Sequence, residues 1–541
     1  MADLILYNGI IKTQDAANPW TKAVAVKNSR FVAVGQTEKI KELKTKETRT
    51  IDLKGRLVLP GFTDAHFHFY DWSLGRKWID FSRVSSLEEF LGVLKEAIRK
   101  DHVPDLYQGW VLGQHWNESE WPEKRMPTRD DLDKVHATRP ILLWRSDLHL
   151  AVANSKALEI SGIGEDTPVP EHGRIGLDEK GRPNGILQDR AIDLVKDKIP
   201  TPKIGQVVEA MREGIPMLHS MGITGLHDLR LMDGSESAPC FRALQTLDME
   251  KALTLRIWTC LSDHVLEEAI NIGFQTGMGS DFLRIGHVKL FADGSVGAGT
   301  AWLSEPYTDG GTGLPLKEMD EIAHLIKRAE SSGLSVAVHA IGDRANHELI
   351  KVFVALKGEG YVRRASTVAP HRIEHLQLLH TEDIKQLATL DVMGSVQPLQ
   401  ATDDITLTER RLGSRASLAY RFRDLIEHGV ELAFGSDCPV AEPDPLLGIH
   451  AAVTRQRADG TPSSGWFPEQ RISIEEAVRG YTIQPAKITG RDHFLGSITP
   501  GKLADFIVLD QNIFDIPPER IPTTKILLTC IDGKIVYEAW A

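Results

Sequence analysis

From residue 1 to about 56, apolar and polar positions alternate along LILYNGII, AVAVKNSRFVAVG and TRTIDLKG, the period-two signature of half-buried antiparallel strands. The same style returns at the far end in GKLADFIVLDQNIF and KILLTCIDGKIVYEAW, where Asp532-Gly533 is a hairpin dipeptide between two strand runs. Neither stretch has enough apolar surface to stand alone, so residues 1–56 and 491–541 are expected to form one small composite β-sandwich. Between them, over 57–490, short buried-strand runs are predicted at 57–65, 222–228, 255–262, 284–292, 334–339, 371–375, 392–397 and 430–436. Helical stretches fill the gaps: LKEMDEIAHLIKRAESSG has apolar residues at three-to-four spacing and closes on Gly333, and TEDIKQLATL opens with acidic residues in its first turn. Eight strands alternating with helices predict an α/β chain, a distorted (β/α)8 barrel of TIM type.

One gap breaks this rhythm. The stretch between the first and second predicted strands is far longer than a helix and its loops require, and it holds Trp72, Trp78, Trp110, Trp116, Trp121 and Trp144. Residues 75–205 are therefore expected to be an insertion with its own core. Because it leaves from the carboxyl end of strand one, it is expected to cap the active site.

The polar residues that end the apolar runs carry the chemistry. His66 and His68 stand two apart in VLPGFTDAHFHFY, so an extended strand points both imidazoles to one face. Lys289, His339, His375 and Asp437 close four other runs, in HVKLFADGS, SVAVHAIGD, HRIEHLQ and LAFGSDCPV. Residues at the carboxyl ends of barrel strands read as catalytic, and these together read as a split metal site. His227 and Asp228 close strand two and are expected at the same end, and Gln397 closes strand seven.

Composition narrows the partners. A 42% hydrophobic content allows a large core, and a net charge of -12 argues against nucleic acid or an anionic membrane surface. Cys240, Cys260, Cys438 and Cys530 show no knuckle spacing and read as reduced structural thiols. The N-terminus lacks a basic leader, and no apolar run is long enough to span a bilayer, so a cytoplasmic protein is expected.

The stretches LVLPGFTDAHFHF, WPEKRMPTRDDLD, NSKAL, HVKLFADGSVGAGTA, VHAIGDRAN, HRIEHLQ, SVQP, ASLAYRFRDLIEHGVELAFGSDCPV and GSITPGKLADFIVLD together resemble the metal-dependent amidohydrolase superfamily. The resemblance is to its amidohydrolase-3 branch, which includes enzymes like N-substituted formamide deformylase, and it covers nearly the full length. It implies that His66, His68 and Asp437 hold one divalent ion and that His339 and His375 hold a second. Both are expected to be zinc, with Lys289 bridging them as a carbamate formed with carbon dioxide. Asp437 is also implied as the catalytic base. Asp147 and His149 match a family stretch usually read Asp-Gly-His, but Leu148 stands where glycine is usual. His149, Asp147, Trp116, His227 and Gln397 are the expected substrate contacts.

The implied reaction is hydrolysis of a non-peptide carbon–nitrogen bond in a small-molecule amide, N-substituted formamide or cyclic amide. A deaminase or lactonase on the same site, or a non-catalytic scaffold, are the alternatives. A homo-oligomer such as a dimer is expected.

Overall fold

The computed structural model describes residues 1–99, 105–118, 121–146, 150–170, 173–362 and 368–540. Two compact units divide the chain: Met1–Phe69 with Arg212–Ala541, and Tyr70–Met211. Among the described residues no helix is long and apolar enough to cross a membrane, and the four cysteines are free and buried.

In the first unit both chain ends build two sheets. One has four strands in the order Arg30–Gly35, Ala23–Lys27, Leu4–Tyr7, Arg49–Asp52. The other has six, in the order Lys534–Glu538, Ile526–Ile531, Phe506–Leu509, Leu57–Pro60, Ile10–Lys12, Trp20–Thr21. Leu4, Leu6, Val24, Val26 and Phe31 of the first sheet share one apolar core with Val58, Phe506, Val508 and Leu528 of the second. Alternate side chains of each strand meet in that core, as the period-two pattern requires. Asp532 and Gly533 take φ values of 55° and 72°, the left-handed pair that a type I′ hairpin needs.

Eight parallel strands follow: strand one Phe62–Phe67, two Ile223–Asp228, three Arg256–Ser262, four Leu283–Phe291, five Val336–Ala340, six His371–His375, seven Val392–Val396 and eight Leu432–Phe434. Each pairs with the next in chain order. Strand eight returns to strand one through a parallel bridge between Phe67 and Cys438. The Asp437 N–H donates to His66 O at 2.7 Å and the His68 N–H to Cys438 O at 2.9 Å. The buried Asp64 carboxylate accepts from the backbone N–H groups of both His66 (3.0 Å) and Ser436 (3.1 Å) across the same seam. This is the expected barrel, with one difference at its start. The run predicted at 57–65 breaks at Gly61, so Leu57–Pro60 pairs antiparallel with Phe506–Leu509 in the terminal sheet and only Phe62–Phe67 enters the barrel.

The second unit centres on a six-stranded mixed sheet, ordered Gly173–Leu177, Pro183–Asp189, Leu150–Ala153, Ile141–Arg145, Val111–Trp116, Ile79–Asp80. Its strands are apolar on both faces. Leu112, Leu142, Trp144, Ala151, Ala153 and Leu187 enter one core with Ala157 and Leu158 of a helix. Val111, Trp116, Ile141, Leu143, Val152 and Ile186 enter another, with Phe90 and Leu94 of helix Leu87–Arg99. A sheet covered on both sides needs continuous rather than alternating hydrophobicity, which accounts for the density of tryptophan in this stretch.

The barrel seam leaves no space at Gly435. A methyl group there would lie 2.3 Å from the backbone nitrogen of His66 and 2.8 Å from Asp64 Oδ1. Gly435→Ala is therefore expected to lower stability by about 1–3 kcal/mol or more, the usual cost of overpacking. Gly358→Ala, in a helix with nothing near its added methyl, is expected to be neutral or slightly stabilising. Denaturant midpoints of the two variants compare these costs directly.

Candidate metal centre

Alternation along the barrel strands decides which side chains face inward, and two local departures complete the site. On strand six, Arg372 and Glu374 point into the barrel, while Ile373 faces the outer core. By the same alternation His375 would face outward. Its φ of +73°, followed by +45° at Leu376, turns the chain so that its ring also faces in. Asp437 sits at φ +61° at the matching point after strand eight. Left-handed backbone at non-glycine residues is uncommon and gathers at functional sites, where the surrounding structure holds it.

The ligand atoms of His66, His375 and Asp437 lie within 4.8 Å of one another, and all three residues are buried. His66 Nε2 is 3.2 Å and His68 Nε2 3.0 Å from Asp437 Oδ1. The rings of His339 and His375 stand 4.5 Å apart, and those of His66 and His375 5.0 Å apart. Five of the six predicted ligands thus form one contiguous cluster. The sixth, Lys289, is 1% exposed on strand four, with its ammonium 4.7 Å from the centre of the Phe291 ring. Among the described residues it has no ion pair: Asp293, four residues further along the chain, accepts from the backbone N–H groups of Ile341 (3.0 Å), Gly342 and Trp302 (2.8 Å each). Burial lowers the Lys289 pKa, while the Glu374 and Asp437 charges work to raise it.

The ring nitrogens facing away from the cluster are tied. His66 Nδ1 lies 2.7 Å from Glu374 Oε2, His375 Nδ1 lies 2.9 Å from Gln397 Oε1, and His339 Nε2 lies 3.1 Å from Gly294 O. At His375 and His339 the tether takes one nitrogen as a donor and leaves the other with its lone pair, the tautomer a metal-binding imidazole requires; at His66 burial works to lower the pKa, but the Asp437 and Glu374 carboxylates raise it. Burial drives His339 down to about 3, assisted by the Lys289 charge, and holds His375 well below the ordinary histidine value. Burial works to raise Asp437, but His66 and His68 hold it well below the ordinary carboxylate value. Two neutral imidazoles beside a carboxylate, together with a buried His68 Nδ1 that has no hydrogen-bond partner, fit a divalent cation.

Several tethers were not foreseen from sequence. Glu374 is fully buried between His66 and the Arg372 guanidinium, and Gln400 Nε2 donates to Asp437 Oδ2 at 3.0 Å. Arg372 and Glu374 are two charged residues at alternate positions of a fully buried strand, a signal that HRIEHLQ does carry. The remaining predicted contacts fall elsewhere. Gln397 tethers His375 and lies 3.3 Å from His66 Nδ1. His227 lies deeper in the barrel, accepting a hydrogen bond from Arg372 Nη1 at 3.0 Å instead of joining the cluster. Trp116 is a core residue of the second unit, 0% exposed, enclosed by Phe90 and Trp121, with its indole N–H donated to Leu143 O. Asp147 and His149 lie outside the described residues.

A parallel barrel that gathers imidazoles and a carboxylate at the carboxyl ends of its strands is built to hold a metal there. A family model described as the amidohydrolase family matches residues 49–537, and the chain belongs to that family. It is 32% identical to Protein LONG AFTER FAR-RED 3 of Arabidopsis thaliana, over 99% of this chain and 92% of that one. It is 27% identical to the N-substituted formamide deformylase of Arthrobacter pascens, over 99% of both. Among solved structures, an uncharacterised metal-dependent hydrolase from Pyrococcus horikoshii superposes with a TM-score of 0.78 at 27% identity, covering 95% of this chain and 99% of that one.

Gln397 tests the tether argument. Gln397→Met removes the acceptor from His375 Nδ1 at similar volume and is expected to weaken metal affinity about 10–100-fold, whereas Gln397→Glu keeps an acceptor and should lose far less. Competition against a chromophoric chelator reads both affinities.

Proposed function

We propose that this amidohydrolase is a metal-dependent enzyme that hydrolyses a non-peptide carbon–nitrogen bond in an N-substituted formamide, amide or cyclic amide. The observation that carries the reading is the buried cluster of His66, His375 and Asp437, whose ligand atoms lie within 4.8 Å of one another, with His66 and His375 tethered through their outer nitrogens. The full-length likeness to a formamide deformylase supports the bond class.

His66, His68 and Asp437 would hold one ion and His339 and His375 the other, zinc being the metal that this nitrogen and oxygen donor set suits. When bound, the ions would lower the pKa of a water from about 16 towards 7 and polarise the substrate carbonyl. Lys289, a buried amine with no ion pair among the described residues, would add through its neutral nitrogen to carbon dioxide with loss of one proton, and the carbamate would supply oxygen donors for the ions. Asp437 accepts the proton of the attacking water through its carboxylate. As the carbon–nitrogen bond breaks, it passes that proton to the nitrogen, which leaves as an amine. Gln400, donating to Oδ2, fixes the plane of that carboxylate. Glu374, Gln397 and Gly294 O keep the rings in register without touching substrate.

A non-catalytic role is the second reading, favoured by the 32% identity to a plant protein whose name states no reaction. The two part on turnover. Zinc-loaded protein is expected to release amine and acid from at least one of a panel of N-formyl amines, N-acyl amines, aryl amides and cyclic amides; two bound metals with no turnover on any of them would favour the second reading. Ammonia as product would point to a deaminase instead.

Two variants test the residue roles. Lys289→Ala should fold yet lose one or both metals, with acetate or formate partly restoring activity by filling the bridging volume. Two metals per chain and near-normal turnover in that variant would rule out the carbamate. Asp437→Asn should reduce kcat by at least about 10²–10⁴-fold while retaining some metal.

A further inference from the structure

A cavity of about 40 Å³ lies among Thr63, Thr224, His227, Arg256, Thr489 and Arg491, where strands one to three begin, at the other end of the barrel from the imidazole cluster. One water needs roughly 10–15 Å³ on this scale, so there is room for a few waters or one small oxyanion.

The donors and acceptors around it do not balance. The Thr224 hydroxyl donates to Phe62 O, and that of Thr489 to the carbonyls of Pro485 and Ala486. The Asp505 carboxylate is taken by Arg256, with Nη2 at 2.8 Å, and by the Asp532 N–H at 2.8 Å. His227 accepts from Arg372 on Nδ1, so its proton sits on Nε2. Arg491 is 8% exposed, and both its Nε and its Nη2 are buried with no hydrogen-bond partner. Those two N–H groups form the side-on edge of the guanidinium, the fork that grips two oxygens of one carboxylate or phosphate.

No side chain among the described residues fills that fork. The Asp281 carboxylate is 3.7 Å from Nη2, beyond hydrogen-bond range, and is itself bonded to Arg284 at 3.2 Å. Burial and the nearby Arg284 and Arg256 charges lower the Arg491 pKa to about 10, which leaves it cationic at neutral pH. The charges of Arg256, Arg284 and Arg491 are met by Asp505, Asp532 and Asp281, but the Nε–Nη2 edge of Arg491 has no hydrogen-bond acceptor among the described residues and is open to one.

We infer that Arg491 holds a small inorganic oxyanion, of the phosphate or sulfate type, in this cavity at the amino-terminal end of the barrel. The anion occupies both free N–H groups. It also ties the turn after helix Ile483–Ile488 to the starts of strands one to three.

The test uses the full chain, with melting temperature followed as sodium phosphate is raised from zero to about 20 mM at ionic strength held constant with sodium chloride. Binding to the folded state alone raises the melting temperature in proportion to ln(1 + [L]/Kd). Wild type is expected to show this rise, with one site per chain by isothermal titration calorimetry and a parallel response to sulfate. Arg491→Lys keeps a cation but loses the fork, and it is expected to bind phosphate at least tenfold more weakly; Arg491→Gln is expected to show no rise. Since Arg491→Lys leaves the imidazole cluster intact, an undiminished rise in that variant would assign the phosphate to the barrel mouth and overturn the inference. A flat wild-type titration would overturn it as well, leaving a cavity that holds water only. If Arg491→Gln fails to fold, the wild type and the lysine variant decide the matter.

Discussion

The closing seam of the barrel is the constraint on which the site depends. Strand eight is short, Leu432–Phe434, and its contact with strand one continues through residues that are themselves site residues. The Asp437 N–H reaches His66 O and the His68 N–H reaches Cys438 O, so the hydrogen bonds that shut the barrel also fix the backbone of three ligand positions. Asp64 reinforces the seam from within by accepting two N–H groups from opposite sides. Burial raises its pKa to about 6 against those bonds, so the join includes a carboxylate that charges at some cost.

Beneath the cluster runs a buried polar axis. Arg372 reaches Ala65 O on strand one, His227 on strand two and Ser395 on strand seven, and it pairs with Glu374, which in turn holds His66. A buried ion pair of this kind adds little net stability over apolar packing, but losing one partner is expensive because the other charge is stranded. Its return here is orientation. Glu374 is held on one side by a guanidinium, so its remaining oxygen can meet the His66 ring in one geometry only.

The strands were legible because each buried run ends in a polar residue, and five of the residues that end those runs come together in one cluster. Alternation alone misassigns His375, which a strict period of two would point outward; the left-handed turn at that residue depends on the loop beyond the strand and has no local signature. The tethers Glu374, Gln397 and Gln400 act across strands, between positions as far as 308 residues apart for His66 and Glu374 and 331 for His66 and Gln397. Such pairings are set by register around the whole barrel and cannot be read from one segment. Trp116 shows the reverse: expected as a substrate contact, it is taken into the core on one side of a two-faced sheet.

Gly61 divides one apolar run between two sheets, and this sets the order in which the molecule can be finished. Leu57–Pro60 pairs with Phe506–Leu509, which in turn pairs with Ile526–Ile531. Its other neighbour, Ile10–Lys12, precedes it, so the strand that leads into His66 and His68 leaves the ribosome with one partner made and the other hundreds of residues away. Until those late strands are synthesised, the stretch anchoring the first ligand pair has an unpaired edge. Early folding on the ribosome must therefore proceed with that edge exposed.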